Sequence, residues 1–214
     1  MADYSKLSTA ILDGDAKTAE TAAREALEGG ADPMELVTGH MIPAMDEVGR
    51  RFECEEYFVP ELLLSGRAMK AALALIRPLL AERGAQPVGR VVIGTVKGDL
   101  HDIGKNLVSS MLEGAGFEIT DLGADVAPDL FVAAAREKRA NIVCLSALLT
   151  VTMPSMKTTI EAFETAGTRR DVKIMIGGAP VTQAYADHIG ADAYGENAAA
   201  AVTIARTLVG AVHV

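Results

Sequence analysis

Gly98-Asp99-Leu100-His101-Asp102-Ile103-Gly104-Lys105-Asn106 is the stretch on which the reading of the fold turns. It follows Arg90-Val91-Val92-Ile93-Gly94-Thr95-Val96, an apolar run rich in β-branched residues that reads as a buried strand. It precedes Leu107-Val108-Ser109-Ser110-Met111-Leu112-Glu113-Gly114, whose apolar spacing predicts a helix closing at the glycine. One histidine, flanked by two aspartates and two glycines, thus lies on a strand-to-helix turn. In an open parallel α/β sheet such turns sit at the carboxyl ends of the strands, where ligands bind.

Downstream the same alternation repeats. Strands are expected at 90–96, 117–122, 141–147, 172–176 and 192–194, and helices at 104–114, 128–138, 153–166, 181–188 and 197–209. Five strand–helix units in series predict a doubly wound α/β fold, because right-handed crossovers put helices on both faces of a parallel sheet. The expected sheet is five-stranded and flavodoxin- or Rossmann-like, with order 2-1-3-4-5 and its switch point between the first and third strands. Across that crevice from His101 lies Ser146-Ala147-Leu148-Leu149-Thr150-Val151-Thr152.

Upstream, residues 1–83 contain no convincing strand. A short helix is expected at 4–13; Asp15 can cap a second, which Gly29-Gly30 stop. Asp32-Pro33 restarts a third, on which Leu36, Met41, Met45 and Val48 recur at helical spacing and Pro43 predicts a kink. Pro60 opens a fourth, with Leu62, Leu63, Met69, Leu73, Ile76 and Leu80 on a broad apolar face. The expected organisation is a four-helix bundle at 1–83, a linker at 84–89 and an α/β domain at 90–214.

Composition bounds the function. Of 214 residues half are hydrophobic, enough for a real core, and the net charge of −9 argues against nucleic acid, since phosphate binding needs clustered Lys and Arg. No apolar run approaches the roughly 20 residues of a membrane span, and the N-terminus lacks a basic start followed by an apolar core. Cys54 and Cys144 are too few for a disulfide framework, and buried free thiols in a reducing cytoplasm are expected.

The crevice does not read as a nucleotide site. Gly98 and Gly104-Lys105 stand one residue too far apart for a phosphate loop, and Asn106 replaces the hydroxyl that would hold magnesium. A hydrolytic metal centre needs three or more ligands, and His40, His188 and His213 show no helical pairing with His101-Asp102. Taken alone, a single histidine in a turn is more often structural than a ligand.

Its surroundings change that. Asp99-x-His101-x-x-Gly104, Ser146-x-Leu148 and Gly177-Gly178 fall on the loops after strands one, three and four. With Val96-Lys97-Gly98 before the first of these and Asp121-Leu122-Gly123 after the second strand, the set resembles the cobalamin-binding domain of methionine synthase and of the small corrinoid proteins of methyltransferase systems. The resemblance extends to a helical cap through Met45-Asp46-Glu47-Val48-Gly49-x-x-Phe52 and Phe58-Val59-Pro60.

The resemblance implies cobalamin bound with its benzimidazole displaced and His101 as the lower axial ligand of cobalt, oriented by Asp99 and Thr152. It implies a cofactor surface of Gly98, Leu100, Asp102, Ile103, Gly104, Ser146, Leu148, Thr150 and Ala198, with Gly177 and Gly178 leaving room for the nucleotide tail. Phe52 and Val59 match the pair that covers the methyl face, with Tyr57 or Phe58 filling out the smaller valine. The implied role is a subunit rather than a complete enzyme, cycling between methylcobalamin and cob(I)alamin. Its partners would be a donor-specific methyltransferase, an acceptor methyltransferase for tetrahydrofolate or a thiol coenzyme, and a reductive activase. A cobalamin-based regulator or light sensor shares the cofactor domain but needs a DNA-binding module, and this chain has no tryptophan for its capping motif. A mutase cobalamin subunit usually lacks such a cap. Bound adenosylcobalamin would favour either.

Overall fold

The computed structural model describes residues 4–84 and 86–210; Ala85 of the expected linker and His213 lie outside them. The chain divides into two compact units, Met1–Pro87 with Glu113–Gly116, and Val88–Leu112 with Phe117–Val214.

The first unit is helical. α1 (Ser5–Leu12) buries Leu7, Ala10 and Ile11. α2 (Ala16–Glu28) starts at Asp15, whose carboxylate accepts from the Thr18 N–H at 3.0 Å and the Thr18 hydroxyl at 2.6 Å. α3 (Pro33–Glu35) runs through a π-helical stretch, Leu36–Met41, into α4 (Ile42–Glu53). Pro43 does not break this run. A proline lacks the N–H and its ring collides with the carbonyl four residues back. The widened turn before it, closed by the Ile42 N–H on the Val37 carbonyl, takes up the conflict. α5 (Val59–Glu82) completes the unit. Leu36, Met41, Met45, Leu62, Met69 and Ile76 are fully buried. Leu63, expected on the buried face of α5, is exposed instead.

The second unit is the doubly wound sheet. β1 (Arg90–Thr95), β2 (Glu118–Asp121), β3 (Ile142–Ser146), β4 (Lys173–Gly177) and β5 (Ala193–Gly195) are parallel, in the expected order 2-1-3-4-5. The helices are α6 (Ile103–Gly114), α7 (Pro128–Lys138), α8 (Pro154–Thr165), α9 (Gln183–Ile189) and α10 (Ala198–Leu208). α6 includes Gly114; the residue that ends it is Gly116, at φ +91°. Val92, Val143, Leu145, Ile174 and Ile176 pack with Phe131, Met156, Ile160 and Phe163 in one apolar cluster. Each fully buried aromatic there contributes about 2–3 kcal/mol by area. Register aligns Thr95, Ser146, Gly177 and Gly195 in a row across the carboxyl edge of β1, β3, β4 and β5. Among the described residues no helix is long and apolar enough to cross a membrane.

Candidate functional site

β1 delivers the chain to the switch point, and Gly98, at φ +86°, turns it toward α6. The turn is organised by Asp99, which is fully buried. Its Oδ1 accepts from the His101 N–H at 3.0 Å and stands 2.8 Å from His101 Nδ1. Its Oδ2 accepts from the N–H groups of Leu148 at 2.8 Å and Leu149 at 3.3 Å. The Thr152 hydroxyl lies 2.6 Å from the same oxygen and 2.8 Å from the Leu149 carbonyl. With one proton to give, it donates to the closer, charged acceptor.

These donors decide the charge. Burial pushes the Asp99 carboxyl up, but Thr152, the His101 and Leu148 N–H groups and the His101 ring together hold it well below the usual carboxylate range. An ionised Asp99 only accepts, so the His101 ring carries a proton at Nδ1. Nε2 is the ring nitrogen left to act, on a side chain half exposed to solvent. A carboxylate that fixes one imidazole nitrogen to prepare the other is the second-sphere arrangement of metal-ligating histidines.

The remaining sequence candidates divide by what surrounds them. Leu100, Ile103 and Val151 are 76%, 71% and 80% exposed, with Leu148 beside them also exposed, so the loops around His101 present apolar side chains to solvent. Thr150 is exposed on the β3–α8 loop; Ser146 ends β3 in half-buried position. Asp102, exposed, accepts from the Asn106 side chain at 3.1 Å. Gly104 sits in the first turn of α6, and a Cβ there would meet nothing within 4 Å. Gly177 and Gly178 differ: a Cβ would fall 3.0 Å from the Gly195 carbonyl oxygen in one and 1.8 Å from that of Ala147 in the other, where φ is +133°. Ala198 is buried as the first residue of α10, behind the Asn197 cap.

Phe52 and Val59 belong to the helical unit, Phe52 half-buried near the end of α4 and Val59 exposed at the start of α5. Tyr57 is not free to fill out Val59: its hydroxyl accepts from Arg51 at 2.9 Å and lies 3.3 Å from the Leu12 carbonyl. Phe58 is exposed. One of the two thiols differs from expectation. Cys144 is buried and its pKa pushed up to about 12 by burial, whereas Cys54 is exposed.

Around this turn the sequence reading missed Thr95 and Asp125 and gave Lys105 no part in the fold. Thr95, fully buried, donates its hydroxyl to the His101 carbonyl at 2.8 Å. Asp125, at φ +55°, accepts from the Gly98 N–H at 2.8 Å and the Lys97 ammonium at 3.0 Å, and gives its own N–H to the Asp99 carbonyl at 2.9 Å. Lys105, weighed only as a phosphate-loop lysine, is buried and spent on Asp121 and on Asn106 Oδ1 at 2.7 Å. An aspartate two residues after a loop glycine is a signal for such a clamp; a threonine closing a strand carries none.

The donor set has a chemical consequence. Among the described residues no three His, Cys, Asp or Glu side chains gather to hold a metal ion. A single prepared imidazole amid exposed apolar side chains suits a metal whose other ligands come in its own macrocycle. A Cβ at Gly104, three residues on from His101, would meet only open space.

Comparison with known proteins agrees. The B12 binding domain family matches residues 89–203, and a second family of the same description matches residues 4–77. Trimethylamine corrinoid protein 2 of Methanosarcina acetivorans is 46% identical over 199 residues, which are 92% of this chain and 92% of that protein. Dimethylamine corrinoid protein 1 of the same organism is 46% identical over 193 residues, 90% of this chain and 91% of that protein. The crystal structure of the methanol:cobalamin methyltransferase complex of Methanosarcina barkeri matches with a TM-score of 0.87 at 27% identity, over 98% of this chain and 80% of that chain.

Proposed function

The chain belongs to the B12-binding corrinoid proteins, and from that premise we propose that it carries a methyl group between a donor-specific methyltransferase and an acceptor methyltransferase. The bound corrinoid supplies the cobalt that takes and yields the methyl group. The protein's share would be to bind it, to present one imidazole nitrogen to the metal and to keep the other ring nitrogen protonated. The relatives' names favour a methylated amine as the donor. Tetrahydrofolate or a thiol coenzyme serves as acceptor, a reductive activase restores oxidised cofactor, and the reducing cytoplasm is the compartment.

The observation that carries this reading is the Asp99–His101 contact of 2.8 Å, with Thr152 2.6 Å behind it. Asp99 keeps Nδ1 protonated, so His101 would hold the cobalt through Nε2. A proton taken up by a free Nε2 would be balanced by the ionised Asp99, which Thr152 anchors from behind. Leu100, Ile103, Leu148 and Val151 supply apolar contact around it, and Gly104 leaves room. Gly98, Asp102, Ser146, Thr150, Gly177, Gly178 and Ala198 complete the cofactor surface. Phe52 and Val59 of the helical unit shield the methyl face.

Electron paramagnetic resonance of the cobalamin-loaded, one-electron-reduced protein tests the ligation. A single axial nitrogen is expected, its coupling changed by isotope-labelled histidine and lost in His101→Ala. A nitrogen that persists in His101→Ala would be benzimidazole, and the reading would fall.

A further inference from the structure

Thr95 closes β1 without solvent exposure, and its three polar groups reach two loops. Its N–H donates to the Gly123 carbonyl at 2.9 Å and its carbonyl accepts from the Val126 N–H at 3.0 Å, both on the β2–α7 loop. Its hydroxyl turns the other way, to the His101 carbonyl at 2.8 Å. A buried hydroxyl is normally hydrogen-bonded, and this one is bonded to the backbone of the histidine itself.

The direction matters more than the bond. Asp99 grips His101 through one oxygen, Oδ1, which meets both the backbone N–H at 3.0 Å and ring Nδ1 at 2.8 Å. Two bonds converging on one atom leave a rotation about it open, in which peptide and ring swing together. The His101 carbonyl lies on the far side of its Cα, so a bond there closes that freedom. With N–H, Nδ1 and carbonyl all held, Nε2 is aimed at one place.

We infer that Thr95 is a positioning residue for the axial ligand: its hydroxyl locks the His101 backbone and ties the aim of Nε2 to the β2–α7 loop. The inference rests on the reading of His101 as cobalt ligand. A side chain that only fills the end of β1 would affect stability; one that aims the imidazole affects ligation.

Cobalamin-loaded Thr95→Val, Thr95→Ser and Thr95→Ala proteins are compared with the parent and with His101→Ala. The measured quantity is the ratio of histidine-ligated to unligated cobalt in the electron paramagnetic resonance spectrum, with thermal melting recorded in parallel. Valine keeps the shape and strand preference of threonine without the hydroxyl, and roughly a tenfold fall in the ratio is expected, the usual effect of losing an outer partner of a metal ligand. Thr95→Ser should restore it. Should the valine protein not fold, serine and alanine still differ in the hydroxyl alone, and serine is expected to exceed alanine by the same factor. Equal ratios with and without the hydroxyl, while His101→Ala still loses its nitrogen, overturn the inference and leave the ligation standing. A nitrogen that survives in His101→Ala overturns both.

Discussion

At the scale of the residue, the site is a buried charge made tolerable by its donors. The Asp99 carboxylate is acceptor-only, and every partner it has donates to it. Asparagine at this position would turn an NH2 group toward N–H or O–H donors whichever way its amide faced. Asp99→Asn is therefore expected to lose roughly 3 kcal/mol of stability at neutral pH, the scale of hydrogen bonds to a charged group that become unsatisfied. The pH dependence has a definite sign. The folded-state pKa of Asp99 lies below its ordinary value of about 3.9, so its stabilisation is complete above that value and lost as pH falls through the folded one. The gap in melting temperature between parent and Asp99→Asn should thus narrow only below about pH 4. A gap that closed between pH 6 and 8 would point to another group. The thiols give a second check: in the native protein an alkylating reagent should modify exposed Cys54 and spare Cys144, with both reacting after denaturation. Legibility at this scale was uneven. The Asp99–His101 pair and Thr152 could both be read from the resemblance. Thr95 could not, because its partner is a backbone atom that no residue pattern announces.

At the scale of the element, three glycines that looked alike in sequence separate into two kinds. Gly178 is demanded by the sheet edge, where neighbouring backbone leaves no space for a side chain, and Gly177 is crowded by the Gly195 carbonyl. Gly178→Ala would put a Cβ 1.8 Å from the Ala147 carbonyl oxygen at a φ of +133°. A loss of about 2–4 kcal/mol is expected, from backbone strain and the forced parting of β3 and β4 loops. Gly104 is demanded by nothing in the chain. It is helical and open, so Gly104→Ala is expected to stabilise the free protein by about 0.5–1 kcal/mol while weakening cobalamin binding. Chemical denaturation of the free protein and a cobalamin titration measure the two. Unchanged binding would assign Gly104 no part in the cofactor surface. Pro43 shows the opposite limit of legibility. A proline inside a helical pattern announces a disturbance, yet whether the chain kinks or widens depends on the turn before it.

At the scale of the whole molecule, the change of period at residue 90 made the α/β fold readable, because strand and helix signals alternate five times with no competing pattern. Which helical faces are buried was less readable. Leu62 and Leu63 are adjacent and equally apolar, and only packing decides that the first is buried and the second exposed. Leu63 is not alone: Phe58, Val59 and Leu64 are exposed as well, so the start of α5 presents an apolar surface to its surroundings. That surface, with half-buried Phe52 near the end of α4, is where the proposed shielding of the methyl face can be tested. Phe52→Ala removes an aromatic that is only partly buried, so its cost should fall below the roughly 2–3 kcal/mol of full burial. Some stability is lost whether Phe52 shields the cofactor or merely packs in the bundle, and melting cannot separate the two. Light can. Methyl–cobalt bonds are photolabile, and a side chain lying over the methyl group favours recombination over escape. The methylcobalamin-loaded Phe52→Ala protein, illuminated well below its melting temperature, is expected to lose its absorption signal several-fold faster than the parent. Equal rates would return Phe52 to the bundle core and leave the shielding to Val59 or to another side chain.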